Sequence, residues 1–153
     1  MKGFLKSFAF AFSGMAAAFK TGRNFRFMFS FALLAVAVFT PIVNNTAHWC
    51  IITTLIGLTL SAEMFNSSIE RICDRITKSH DTDIKFIKDT AAAAVLTLCI
   101  FDSATGCFIL FSGGRFLKFL GFCLENPWYI AVLAVIVLIG ALITPQKKQR
   151  NGE

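Results

Sequence analysis

The sequence predicts an all-α integral membrane protein. We expect an N-terminal amphipathic surface helix, a core of three transmembrane helices, and an extra transmembrane helix at the C-terminus. Three observations predict this. First, 56% of the 153 residues are hydrophobic and only 16% are charged, against roughly 25% in soluble domains. Second, the apolar residues gather into runs long enough to cross a bilayer. Third, the basic residues sort to one side of those runs. A net charge of +6 would suggest nucleic acid in a soluble chain. Here the sorting accounts for it, and no nucleic-acid partner is expected. A length of 153 residues implies one domain.

Residues 1–24 are the surface helix. On a helical wheel Phe4, Phe8, Phe12, Met15 and Phe19 share one face, with Lys2, Lys6 and Lys20 opposite. Such a helix lies on the leaflet and brings its lysines to anionic head groups. Lys6 and Lys20 interrupt the apolar run, so no cleavable signal peptide is expected.

Between Arg26 and Glu63 stand 36 residues without a formal charge. As one helix they would reach about 54 Å, against a hydrocarbon core of about 30 Å. The run must fold back, and Pro41 with Asn44-Asn45 supplies the turn. The first membrane helix is therefore placed at 27–43 and the second at 49–78. A third, at 82–111, is broken only by Asp102. Residues 112–125 read as a turn and a short interfacial stretch. The fourth, at 126–146, opens on the interfacial pair Trp128-Tyr129 and precedes a basic tail at 147–153.

With four spans, the N-terminus, the loop after the second helix and the tail share a side. That side holds 13 of the 15 basic residues; only Arg115 and Lys118 fall opposite. The positive-inside rule makes it the cytoplasm, so the chain is read as multi-pass with a cytoplasmic N-terminus.

One stretch, "AEMFNSSIERICDRI", gathers acids beside a membrane. Glu63, Asn66, Glu70 and Asp74 are spaced by 3, 4 and 4, and so fall within an arc of about 80° on one helix. Ser67 sits near the same stripe. Glu63 follows Trp49 by fourteen residues, roughly 21 Å, which leaves it about 9 Å inside the cytoplasmic boundary. An ionisable group inside the membrane costs at least about 2.5–3.5 kcal/mol near its centre, less toward the edge, and marks function by default. A solvated helix end explains Asp74 and Glu70, but not Glu63 and Asn66. Carboxylates with an amide at an interface suit Mg²⁺ carried by a nucleotide, since Mg²⁺ shares oxygen ligands with phosphates. Downstream, Lys88-Asp89 precede four alanines. The lysine suits a phosphate, and the alanines permit close helix approach. Asp102, near mid-membrane, reads as a hydrogen-bond partner between helices in preference to a substrate contact.

Other chemistries are excluded. "GMAAAFKT" lacks the second glycine of a P-loop and has no strand before it. No protein-kinase signature appears. His48 and His80 do not make a zinc site. Five cysteines without a CxxC pair fit no metal or disulfide framework and read as apolar filler.

"EMFNSSIERICDRI" followed by "KDTAAAAVL" resembles the prokaryotic diacylglycerol kinase family, which includes the undecaprenol kinases. "LKSFAFAFSGMAAAFKTGRNFRF" is similar to that family's N-terminal surface helix, and the likeness runs from about Phe4 to Phe111. The resemblance implies a small lipid kinase of the bacterial inner membrane, with three membrane helices per chain and active sites formed between neighbours in a homotrimer. It implies ATP as phosphoryl donor, Mg²⁺ as cofactor, and a membrane lipid alcohol as substrate, either diacylglycerol or undecaprenol. "DRI" leans toward the diacylglycerol branch. By position, Glu63 is implied as the catalytic acid/base. Asn66 and Glu70 fall at the nucleotide-metal site, with Asp74 in support. Lys88 and Asp89 fall on the nucleotide, and Ser79-His80-Asp81 near it. Ser67 and Ala92 are the candidate lipid contacts.

Two features depart from the family pattern. Gly22 stands where members carry a metal-binding glutamate, and no acid precedes Glu63. This raises the alternative of a catalytically impaired relative with a lipid-binding or structural role. The fourth helix lies outside the usual core. A transporter using the acidic stripe as an ion path is a third reading, opposed by the clustering of the stripe at one interface.

Overall fold

A computed structural model describes residues 2–77 and 81–143. Lys78, Ser79, His80 and the basic tail with Lys147, Lys148 and Arg150 lie outside the described residues, as does the expected end of the fourth helix. The described chain is helical, without strands: α1 (Lys2–Thr21), α2 (Arg23–Phe39), α3 (Thr46–Ile76), α4 (Thr82–Phe111), a 3₁₀ turn (Ser112–Gly114), α5 (Arg115–Glu125) and α6 (Pro127–Ile143).

Local chemistry sets these boundaries. Gly22 is extended (φ −85°, ψ 108°) and separates α1 from α2, which are bent by 98°. The first apolar helix thus begins at Arg23 and not at 27: the break is made by the backbone at Gly22, and the charged Arg23 and Arg26 are carried inside the helix. It ends at Phe39 and not at 43. Pro41 has no N–H to extend the ladder, and the N–H groups of Ile42 and Val43 fold back onto Phe39 O at 3.1 and 2.9 Å. α3 begins at Thr46, three residues before Trp49, because the Asn45 side chain caps it, accepting from Ala47 N at 2.7 Å. Asp81 caps α4, accepting from Asp83 N and Ile84 N at 2.9 and 3.0 Å. After α4 the chain turns at Gly113 and Gly114, both left-handed (φ 61° and 71°), which favours glycine. The expected interfacial stretch is a true helix, α5. Pro127 then opens α6, where its missing N–H costs nothing.

α3 and α4 form an antiparallel pair. Thr59 donates to Asp102 across it at 2.6 Å, and Lys88 bonds Asp74 at 2.5 Å. The two contacts hold one register along the pair. α6 runs antiparallel along α2: the Tyr129 hydroxyl donates to Ala37 O at 2.7 Å, Gly140 is buried against Ser30, and Arg26 donates to Ile143 O at 2.5 Å. One end of the bundle holds the apolar core of Phe39, Ile42, Val43, Ile52 and Ile109, with Trp49 and Phe119 packed on it. Toward the opposite end of the α3–α4 pair stand Glu63, Asn66, Glu70, Asp74 and Lys88.

Large apolar side chains point outward elsewhere. Phe108 is 80% exposed and Phe101 63%. On a soluble chain such surface would be a liability; in a membrane protein it faces lipid. By length and composition, α3 and the stretch Thr82–Glu125 qualify as membrane spans, and α1 with α2 qualify only together across their bend. α6 has 17 described residues, about 26 Å at 1.5 Å per residue.

Candidate functional site at the polar end of the helix pair

The buried face of α3 carries the acidic stripe. Its buried residues are Ile52, Thr59, Glu63, Asn66 and Cys73, and this face packs on α4. The sequence makes it so: the stripe recurs every three to four residues, the same period that places Ile52 and Thr59 on the inner side. Glu63 and Asn66 are only 2% and 3% exposed. Burying an ionisable group this fully is costly unless it is bonded.

The bonding is sparse. Glu63 Oε1 accepts from Ser67 Oγ at 3.3 Å. Asn66 Nδ2 donates to Glu70 Oε1 at 3.3 Å. Asn66 Oδ1 is buried with no partner among the described residues. Both bonds run within α3, and among the described residues Glu63 has no ion-pair partner. Glu63 is thus a buried carboxylate without a cation among the described residues, one turn from an unpartnered amide oxygen, and groups buried in this way call for an explanation.

Asp74 and Lys88 stand one turn farther out, where their pair joins α3 to α4. The pair is partly solvated, at 66% and 35% side-chain exposure. Water screens an ion pair placed there. Asp89 and Ala92 are exposed on the surface of α4, and the structure does not bring them to Glu63. Of Ser79-His80-Asp81, only Asp81 is described, as the cap of α4.

Two contacts escape a reading of the sequence. Arg71, beside Glu70, donates to Thr21 Oγ1 at the end of α1 and so ties the surface helix to α3. Nothing in the spacing of the two residues signals that bond. Thr59 is the partner of Asp102; the sequence marks Asp102 as an interhelix bonder but not its mate.

Asn66 Oδ1 and the Glu70 carboxylate are hard oxygen donors, and the first is buried without a partner. They fit Mg²⁺ as two ligands of a shell completed by phosphates and water. They do not form a self-contained protein site, and the described residues hold no cluster of three metal-ligating side chains. At Gly22 an added Cβ would stand 2.7 Å from Ala18 O and 3.2 Å from Phe25 Cβ. The elbow between α1 and α2 thus accommodates glycine and leaves no room for the side chain of a ligand.

A family model for prokaryotic diacylglycerol kinase matches residues 9–110. The chain is 34% identical to the undecaprenol kinase of Bacillus subtilis (strain 168) over 106 residues, covering 69% of this chain and 86% of that protein. No solved structure matches. The family match takes in α2, α3 and nearly all of α4. It leaves out α5 and α6.

Proposed function

The chain belongs to the prokaryotic diacylglycerol kinase family and is a lipid kinase, and on that premise we propose that it transfers the γ-phosphoryl group of ATP to the hydroxyl of a membrane lipid alcohol at the cytoplasmic interface. The observation that carries this reading is Glu63, a buried carboxylate with no cation paired to it among the described residues. It stands one turn deeper than Asn66 and two turns deeper than Glu70 on the same helix face.

Depth divides the work. A lipid alcohol reaches the site from the membrane, with its chain among apolar side chains and its hydroxyl at Glu63. ATP reaches it from the water at Glu70, Asp74 and Lys88. Glu63 Oε1 takes the hydroxyl proton as the oxygen attacks phosphorus in line, the O–P bond forms, and the bond to the β-phosphate oxygen breaks with ADP as leaving group. Ser67 holds the carboxylate in place through the 3.3 Å bond. Asn66 and Glu70 would hold Mg²⁺, which when bound neutralises charge on the phosphates. Lys88 leaves Asp74 for a phosphate oxygen, where it acts as a point charge. Little covalent work falls to the protein; its contribution is positioning and electrostatics.

Asp89 and Ala92 lie exposed on α4. That placement suits a contribution across a subunit boundary, so a homotrimer with shared sites is part of this proposal. For the lipid, similarity to an undecaprenol kinase sets undecaprenol beside diacylglycerol. Both present a primary hydroxyl at the same depth.

The test is transfer of labelled γ-phosphate, with Mg²⁺, to each lipid separately by purified protein in mixed micelles. We expect label on one lipid in clear preference to the other, and a loss of about 10²–10⁴-fold in Glu63→Gln, the usual worth of a general base. Label that persists in Glu63→Gln would remove the carboxylate from the mechanism. No label on either lipid would refute the substrate assignment.

A further inference from the structure

α6 lies outside the family match, yet it is bonded to the helix that leads into the site. The connection is Arg26, on the first turn of α2. Its Nε donates to Ile143 O of α6 at 2.5 Å, and its Nη1 donates to Phe19 O and Lys20 O of α1 at 3.1 and 2.9 Å. One guanidinium thus joins three helices.

The chemistry at this point is specific. α1 stops at Thr21, so the carbonyls of its last turn have no intrahelical donors. Arg26 supplies two of them, Phe19 O and Lys20 O, and places a cation at the negative end of α1. Its planar fork of five donors allows it to reach three carbonyls on two helices. A lysine offers a single point charge and does not span them. The bend itself depends on Gly22, whose N–H bonds Ala18 O at 2.7 Å. Next in the chain, Thr21 accepts from Arg71 on α3, adjacent to Glu70. The contacts run without a gap from α6, through Arg26, to the elbow, to α3 at the nucleotide side of the site.

We propose that Arg26 is a positioning residue through which α6 holds the α1–α2 elbow against α3 beside Glu70. This rests on the lipid-kinase reading of that site. α6 is registered on α2 at two further points, the Tyr129–Ala37 bond and the Gly140–Ser30 contact. Ile143 therefore meets Arg26 at a fixed place, and the elbow inherits that placement.

The experiment uses the full chain in nanodiscs, with Arg26→Gln, Arg26→Lys, Gly140→Leu and the double variant Arg26→Gln/Gly140→Leu. A side chain at 140 meets Ser30 Cβ at 2.9 Å and so lifts α6 from α2 without touching the elbow. Tyr129→Phe, which adds no volume, is the substitute if Gly140→Leu fails to fold. Two readouts are taken: amide hydrogen exchange at residues 19–26, and KM for ATP and for lipid. We expect elbow exchange to rise about tenfold in Arg26→Gln and in Gly140→Leu, as a charge-assisted bond is lost. KM for ATP should rise several-fold with lipid KM unchanged, Arg26→Lys should recover only part of the loss, and the double variant should match the worse single. Elbow protection that stays intact in Gly140→Leu would overturn the proposal. So would effects that multiply in the double variant, or a lower melting temperature with KM for ATP unmoved. Should the wild type transfer no phosphate, the kinase reading fails, and hydrogen exchange alone decides the coupling.

Discussion

Glu63 and Gly22 show how differently single residues submit to reading. The sequence marks Glu63 twice, by its place in a stripe and by its depth, and the structure finds it 2% exposed. Asn66 follows from the same spacing. Its unpartnered Oδ1 does not, because whether an amide is satisfied depends on what the facing helix presents. Gly22 reads in the sequence as a missing carboxylate. In the fold it is a backbone requirement, with Ala18 O 2.7 Å from where a Cβ would stand. Restoring an acid by Gly22→Glu is thus expected to open the elbow and not to repair the site. We predict a stability loss of about 1–3 kcal/mol, the usual cost of overpacking, with no gain in phosphoryl transfer. Thermal unfolding alongside the transfer assay checks this; an unchanged melting temperature with a faster rate would show that the elbow tolerates the side chain.

The elements follow from periodicity and from caps. α3 and α4 are legible as long apolar helices, and Asp81 and Asn45 set where they start. Their pairing is sealed in the apolar zone by the Thr59–Asp102 bond at 2.6 Å, while Asp102 Oδ1 stays buried without a partner among the described residues. Removing one side of such a bond is worse than removing both. We predict that Thr59→Val costs about 1–3 kcal/mol and that Thr59→Val/Asp102→Leu recovers most of it, measured by unfolding in mixed micelles. A double variant weaker than the single would show that Asp102 has a role apart from this bond. α5 was legible only as an interfacial stretch. Its two-sidedness, with Cys123 buried and Leu117 70% exposed, appears once the glycine turn has set the helix against the bundle.

At the scale of the molecule, polarity is divided end from end. Core side chains fill the end with Phe39, Val43 and Ile109; Glu63, Glu70, Asp74, Lys88, Arg71 and Arg26 stand toward the other. The bonds Arg71–Thr21 and Arg26–Ile143 bring the N-terminal elbow, the end of α3 and the end of α6 to one side. The sorting of basic residues asks for the same grouping. We predict that this side is cytoplasmic. In a cysteine-free background, Lys85→Cys should react with an impermeant maleimide only after the membrane is opened, and Lys118→Cys should react on intact cells. Equal labelling of both from outside would reject the four-span topology.

The sequence by itself determined the membrane class, the helical elements and the stripe that carries the chemistry, because each is a matter of period, run length and charge along one chain. It also held the motifs that place the chain in its family. Only the tertiary structure decided what those elements meet: that Lys88 rests on Asp74, that Asp102 bonds Thr59, and that α6 grips the elbow through Arg26. These are contacts between residues 14 to 117 positions apart. No local pattern encodes such partners, since they are fixed by the register in which the helices pack.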